Sequence, residues 1–207
     1  MGKYDASIDR ILTIEYTNIQ ELMTTLDRST VEEVIDVLLK VKPSGHKVIT
    51  AGCGTSGMLA RRIQHTLNVV EIPAFFCNPG DAMHGGTGCI QKGDVVILIS
   101  KGGNTKEITD YIPVCRKKEA YIIGVTQFDD SVLATQSDLY FKIKIDHEAD
   151  IWNMCASASC NAIAAVFDAV AFTAVQYSDY GKEDLALIHP NGRVGAMLAQ
   201  DGDFSKA

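Results

Sequence analysis

The 207 residues are 46% hydrophobic, enough for a sizeable core in one generous domain and too much for a disordered chain. Nineteen basic residues stand against 26 acidic ones, a net charge of −7, and no Lys/Arg stripe forms. That excludes the electrostatic footprint of a nucleic-acid binder and leaves any anionic ligand to be met by local groups.

Residues 3 to about 41 carry apolar side chains at helical spacing (Ile8, Ile11, Leu12, Ile14, then Val31, Val34, Ile35, Leu38, Leu39), interrupted near Asp27-Arg28-Ser29-Thr30. The pattern predicts a helical hairpin over 1–42, its second helix capped by Ser29 or Thr30 and ended by Pro43-Ser44-Gly45. Nothing in the hairpin suggests chemistry; such helices cover a sheet face or a partner subunit. The first residues have no secretory h-region and no myristoylation motif, which points to a cytoplasmic protein without a membrane anchor. Six cysteines (Cys53, Cys77, Cys89, Cys115, Cys155 and Cys160) form no C-x-x-C pair and read as reduced, mostly buried small side chains.

From Lys47 strand and helix patterns alternate, the sequence form of a parallel sheet wrapped by helices. Five strands are predicted at Lys47–Ala51, Glu71–Phe76, Asp94–Ile99, Tyr121–Val125 and Leu139–Ile143, with helices near 56–68, 79–87 and 105–118 and a short turn at 130–135. After Asp146 the chain turns helical: an Ala-rich helix from Ile151 to about Tyr177, a short one over Lys182–Leu187 and a last one over Val194–Gln200. The longest apolar run, Ala162 to Val175, is shorter than a membrane span and contains Asp168, so a buried core helix is expected. The fold class is therefore α/β, a three-layer sandwich with a five-stranded parallel sheet. The chain reads as one domain over 1–207: helices over 1–42, the core over 47–145 and C-terminal helices over 150–203.

Two Gly-rich loops leave the strand C-termini, where open α/β sheets bind ligands. Val96 to Ile99 runs into Ser100, Lys101, Gly102, Gly103, Asn104 and Thr105 and then into a helix. Backbone N–H groups, hydroxyls and a helix N-terminus converge in such a turn, which suits an anion, most simply a phosphate. One such loop alone would be read as a turn with a helix cap. The second, Gly52-Cys53-Gly54-Thr55-Ser56-Gly57, changes that. It formally satisfies G-x-G-x-x-G, but the second strand ends in Phe75-Phe76-Cys77-Asn78 without the ribose-binding acid of a dinucleotide site. One compact phosphate shared by two hydroxyl-rich loops is the simpler account.

The motifs G-C-G-T-S-G (52–57), F-F-C-N-P-G-D-A-M-H-G-G-T-G (75–88), I-S-K-G-G-N-T-K-E (99–107), H-E-A-D (147–150) and I-H-P-N-G-R-V-G (188–195) follow one another along the chain, and the resemblance they carry extends over nearly all of it. Their order resembles the sugar isomerase (SIS) domain family, and within it the arabinose-5-phosphate isomerase branch. Members of that branch often carry CBS domains, of which these 207 residues show none. The resemblance implies a homodimer or homotetramer with sites between subunits. It also implies aldose–ketose isomerisation of a phosphosugar without metal or cofactor, arabinose 5-phosphate and ribulose 5-phosphate being the first-choice pair. A sensor of phosphosugars, or an isomerase of a hexulose or heptose phosphate, is the alternative.

Such chemistry needs a carboxylate to take a proton from carbon, a polar group for the enediolate and an acid–base pair for ring opening. The resemblance places Glu107 and Glu148 in the carboxylate roles, Glu148 favoured as base with the reverse open, and His84 and His189 as site histidines, one of them from a neighbouring subunit. His46 and His65 read as structural. Gly54, Thr55, Ser56, Ser100, Lys101, Gly102, Gly103 and Thr105 are the expected phosphate-binding residues. Ser157, Ser159 and Asn161 either complete the phosphate site or cap the Ala-rich helix, and Arg193 has either a phosphate or an interface ion pair open to it. Two departures stand out. The branch's lysine after G-x-G is Thr55 here, and the second serine of its S-x-S-G loop is Gly102. Lys101 is expected to supply the missing cation from the neighbouring loop.

Overall fold

The computed structural model describes residues 2–201. Strands β1 (Val48–Gly52), β2 (Ala74–Phe76), β3 (Val95–Ile99), β4 (Tyr121–Thr126) and β5 (Leu139–Lys142) form one parallel sheet in the order β2-β1-β3-β4-β5. Every residue of β1 and β3 is buried, which is why both read as unbroken apolar runs rather than alternations. Alternate side chains serve opposite cores. Val95, Ile97 and Ile99 pack with α2 (Arg28–Val41), α3 (Gly54–Val69) and α8 (Ala158–Gln176), and Leu22 of α1 (Asp5–Thr25) joins them. Val96 and Leu98 face the second core, built with α4 (Pro79–Ala82), α5 (Lys106–Thr109), α6 (Tyr111–Lys118) and α7 (Val132–Gln136). The three-layer sandwich and the five-stranded parallel sheet are as the sequence predicts.

Local chemistry moves several boundaries. The cap of α2 is Asp27, whose carboxylate accepts from the Ser29 N–H at 3.0 Å and from the Ser29 and Thr30 hydroxyls; the two residues expected as caps are its donors. β2 starts three residues later than predicted, because Glu71 takes a left-handed φ of 54° and Pro73 has no N–H for the ladder. The helix expected at 105–118 is broken after Thr109, the residue whose carbonyl would bond the N–H that Pro113 lacks. The helix at 79–87 stops after four residues and gives way to a 3-10 turn over Gly86–Cys89. α8 begins at 158 rather than 151, because the Asp150 carboxylate gathers the N–H groups of Trp152, Met154 and Cys155 at 2.8, 2.9 and 2.7 Å into a separate turn.

By length and composition α8 could cross a membrane, but it packs on α1, α2 and α3, and Phe167 meets Phe141 edge-on at 5.8 Å between ring centroids. It is a core helix. The expectation of mostly buried cysteines is corrected: Cys77 and Cys115 are buried, Cys53 and Cys160 are half-buried, and Cys89 and Cys155 are exposed. All six are free thiols. The last two helices, α9 (Lys182–Ile188) and α10 (Gly192–Asp201), pack mainly on each other.

Candidate active site

β1 and β3 are neighbours with Gly52 opposite Ile99, and the chain leaves them for opposite sides of the sheet. This is the topological switch point, the usual ligand crevice of an open α/β sheet. Both Gly-rich loops start there. In the first, the strand turns directly into α3; a Cβ on Gly57 would stand 2.6 Å from the Gly52 carbonyl oxygen. Gly54, Thr55 and Ser56 therefore open the first turn of α3, with Gly54 and Thr55 exposed and Ser56 half-buried.

The second loop is held from beneath. The buried Ser100 hydroxyl accepts the Gly103 N–H at 3.1 Å and pairs with the Thr105 hydroxyl at 2.9 Å, so Thr105 does not use its side chain to cap α5. The Lys101 carbonyl accepts from the Thr126 hydroxyl at 2.9 Å and the Gln127 N–H at 3.3 Å, and Asn104 Oδ1 accepts from the Val132 N–H at 2.9 Å. Among the described residues Gln127 Oε1 is the buried side-chain oxygen left without a partner, at this same edge.

Gly103 has φ +70°, and a Cβ there would collide with Ser131 and stand 2.8 Å from Thr126 Oγ1. Gly102 has no such constraint: its φ is ordinary and a Cβ would meet nothing within 4 Å. The missing loop serine is thus not imposed by the fold. Gly102→Ser is expected to hold or raise the melting temperature, by a few degrees for roughly 0.4–1 kcal/mol of reduced unfolded-state entropy, and to tighten phosphate binding. Gly103→Ala should lower the melting temperature. Calorimetric melting of the two variants checks this, and equal losses in both would refute it.

Glu148 is the buried centre of the site. Its side chain is 0% exposed. Oε1 accepts from Lys101 Nζ at 2.6 Å and from the Ser159 hydroxyl. Oε2 accepts from the N–H groups of Ser157 and Ser159 at 2.9 and 3.1 Å and from the Ser157 hydroxyl at 3.4 Å. The anion at the N-terminus of α8 is therefore the protein's own carboxylate. Ser157 and Ser159 thus hold Glu148, Ser157 makes no side-chain cap of α8, and Asn161 donates to Glu15 at 2.9 Å. Burial alone would raise the Glu148 pKa, but Lys101, Ser159 and the two N–H groups outweigh it and hold the carboxyl at about 2.

The hairpin that looked chemically silent positions this residue. Asn18, buried on α1, donates to the His147 carbonyl at 2.9 Å, and Arg10 donates to the Ala149 carbonyl at 3.2 Å. Asn153 accepts the Glu148 N–H at 2.6 Å. These three residues were not anticipated. One signal was available for Asn18, which lies four residues from both Ile14 and Leu22, a polar residue inside an apolar stripe.

Glu107 is exposed in the first turn of α5 and has no ion pair or side-chain hydrogen bond among the described residues. Burial, and then the Glu107 charge, push the thiol of Cys53, the residue before α3, up. α4 packs against α5, and the exposed His84 lies two residues past the end of α4. Among the described residues His189 makes no hydrogen bond or ion pair to either loop. The segment after α8 starts at the opposite end of the sheet, where the Tyr180 hydroxyl donates to the Val69 carbonyl at 2.7 Å, and His189 ends α9. Arg193 is exposed on α10. A cavity of about 640 Å³ at that far end, lined by Leu38, Lys42, Glu71, Tyr177 and Tyr180, is remote from both loops.

The SIS domain profile matches residues 43–176. The chain is 31% identical to arabinose 5-phosphate isomerase KdsD of Francisella tularensis over 185 residues, 89% of this chain and 56% of that protein. It is 31% identical to arabinose 5-phosphate isomerase KpsF of Escherichia coli over 192 residues, 93% of this chain and 60% of that protein. The chain thus spans little more than half the length of the curated relatives it matches. Among solved structures, a proposed sugar-phosphate isomerase from Listeria monocytogenes superposes with a TM-score of 0.88 at 38% identity, covering 92% of this chain and all of that one. A protein of Escherichia coli CFT073 in complex with arabinose 5-phosphate gives 0.86 at 32% identity, with coverages of 92% and 100%. On its parallel sheet, its two loops at the switch point and these likenesses, the chain belongs to the SIS domain family.

Proposed function

We propose that this chain is a phosphosugar aldose–ketose isomerase working through an enediolate, with arabinose 5-phosphate and ribulose 5-phosphate as its substrate pair. The observation that carries the reading is the pairing of two Gly-rich loops at one switch point with an exposed carboxylate, without a partner among the described residues, in the first turn after the second. The names of the relatives agree with it. In this reading the domain occupies 1–207. The phosphate lies on Gly54, Thr55, Ser56, Gly102 and Thr105, over a loop shaped by the buried Ser100 and Gly103, and the reaction runs on side chains without metal or cofactor.

Between the two carboxylates, the unliganded geometry favours Glu107 as the base. A carboxylate at about 2 with every acceptor position engaged takes a carbon-bound proton poorly, whereas Glu107 is free and accessible. His84, exposed just past α4, is the candidate for ring opening. His189 would have to come from a neighbouring copy, and the exposed apolar face of α1 (Ile8, Leu12, Tyr16, Ile19 and Met23) supports assembly into an oligomer.

The test is proton exchange. Incubation with ribulose 5-phosphate in deuterated water should place deuterium at C1 and yield the aldose, both followed by NMR. No exchange with pentulose, hexulose or heptulose phosphates would overturn the reading in favour of a phosphosugar sensor.

A further inference from the structure

We propose that Lys101 is the cation that meets the oxyanion of the enediolate, and that Glu148 is its positioning residue, acting through Lys101 and never touching the sugar. The inference rests on the isomerase reading above and assigns roles within the same site.

Three observations carry it. First, the Glu148 carboxylate has no acceptor position to offer a substrate: Lys101, the Ser157 and Ser159 N–H groups and both serine hydroxyls occupy it, and its side chain is wholly buried. Its outlet to the cleft is the Lys101 ammonium, whose side chain is 35% exposed. An ammonium has three N–H groups; one is fixed on Oε1 at 2.6 Å, which leaves two for a ligand. Second, both ends of Lys101 are held. Its carbonyl is fixed by Thr126 and Gln127, and Glu148 is itself fixed by Asn153 on its N–H and, through the flanking carbonyls, by Asn18 and Arg10. Third, the ion pair is neutral overall. It adds little attraction for a phosphate dianion already met by two loops, but a directed N–H suits an oxygen that becomes charged only in the transition state. The other ionisable groups near Glu148 are Arg10, whose guanidinium is bound to the Ala149 carbonyl at 3.2 Å, Cys160 on α8 with Glu15 beyond it, and the chain neighbours His147 and Asp150. Among the described residues Lys101 is the cation bonded to the Glu148 carboxylate itself.

In the step, Glu107 takes the C1 proton of the ketose, the C1–H electron pair forms the C1–C2 double bond, and the carbonyl π pair moves onto O2 beside Lys101. Return of the proton from Glu107 to C2, with passage of the O1 proton to O2, gives the aldose. Lys101 keeps its proton throughout.

The experiment combines a kinetic cycle with NMR of protein labelled with 15N in its lysines. Lys101→Met and Glu148→Gln should each lower kcat by a similar factor of about 10 to 1,000 while KM changes less than about threefold. The double variant should be no slower than the slower single one, and Lys101→Arg should recover part of the loss. The Lys101 ammonium signal, protected in the wild type, should vanish in Glu148→Gln, persist in Glu107→Gln and shift on adding ribulose 5-phosphate. A far larger kcat loss in Glu148→Gln than in Lys101→Met, with multiplying effects, would overturn the assignment, because Glu148 would then act on the substrate directly. A KM loss confined to Lys101→Met would also overturn it, making Lys101 a phosphate ligand. Should the wild type turn over no phosphosugar, the isomerase reading falls by itself. The ammonium signal still decides the placement: a shift with ribulose 5-phosphate supports it, and an unmoved signal under saturating ligand refutes it.

Discussion

Glu107→Gln is expected to lower deuterium exchange at C1 of ribulose 5-phosphate by about 100- to 10,000-fold, the usual contribution of a positioned general base. The substitution keeps size and shape and removes only the group that accepts the proton. Stability should hardly change, since Glu107 makes no side-chain hydrogen bond and a first-turn acid is worth only about 0.3–1 kcal/mol against the helix dipole. Affinity for ribulose 5-phosphate should stay the same or improve, because a negative charge leaves the neighbourhood of the phosphate loops. The Cys53 thiol supplies an internal control: with the Glu107 charge gone its pKa should fall, and its alkylation rate at pH 8 should rise. Full exchange in Glu107→Gln, with faster alkylation proving that the charge is gone, would move the base to another group.

The framework of this site was legible because it depends on local sequence. Buried parallel strands produce the runs at 48–52 and 95–99, and a strand that turns straight into a helix demands glycine, so β1, β3 and both loops could be located from residue types. Helix breaks were partly legible: Pro113 announces the interruption of 105–118, and Asp27 was as good a cap as the Ser29 and Thr30 beside it. What stayed hidden is what long-range packing decides. Lys101 and Glu148 lie 47 residues apart and Asn18 lies 129 residues from its partner, so no spacing rule reports either contact. Ser157 and Ser159 read equally as phosphate ligands or as a helix cap, because a helix N-terminus states only that an acceptor belongs there; that this acceptor is Glu148 is decided by packing across nine and eleven residues.

That internal anion makes Glu148→Gln the most destabilising substitution expected in the site. The carboxyl is held at about 2 in the folded protein against an ordinary 4.5, a difference worth on the order of 3 kcal/mol. Since the folded value is the lower one, the stabilisation is complete above about pH 4.5 and is lost as the pH falls toward 2. Glutamine offers one acceptor oxygen where two are engaged, and turns an NH2 group toward N–H groups or hydroxyls that need an acceptor. Lys101, a third exposed, can recover hydration, so the variant should still fold. Its melting temperature at pH 7 should fall by roughly 6–12 °C, using the scaling for chains of this size. Below pH 4 the gap between variant and wild type should narrow with each step of acidification, because the wild type then loses by protonation what the variant never had. Thermal melts from pH 7 to pH 2.5 would test this directly. A gap that stays constant across that range would mean that Glu148 stabilises by shape and hydrogen bonding alone, and that its charge is not what holds Lys101 in place.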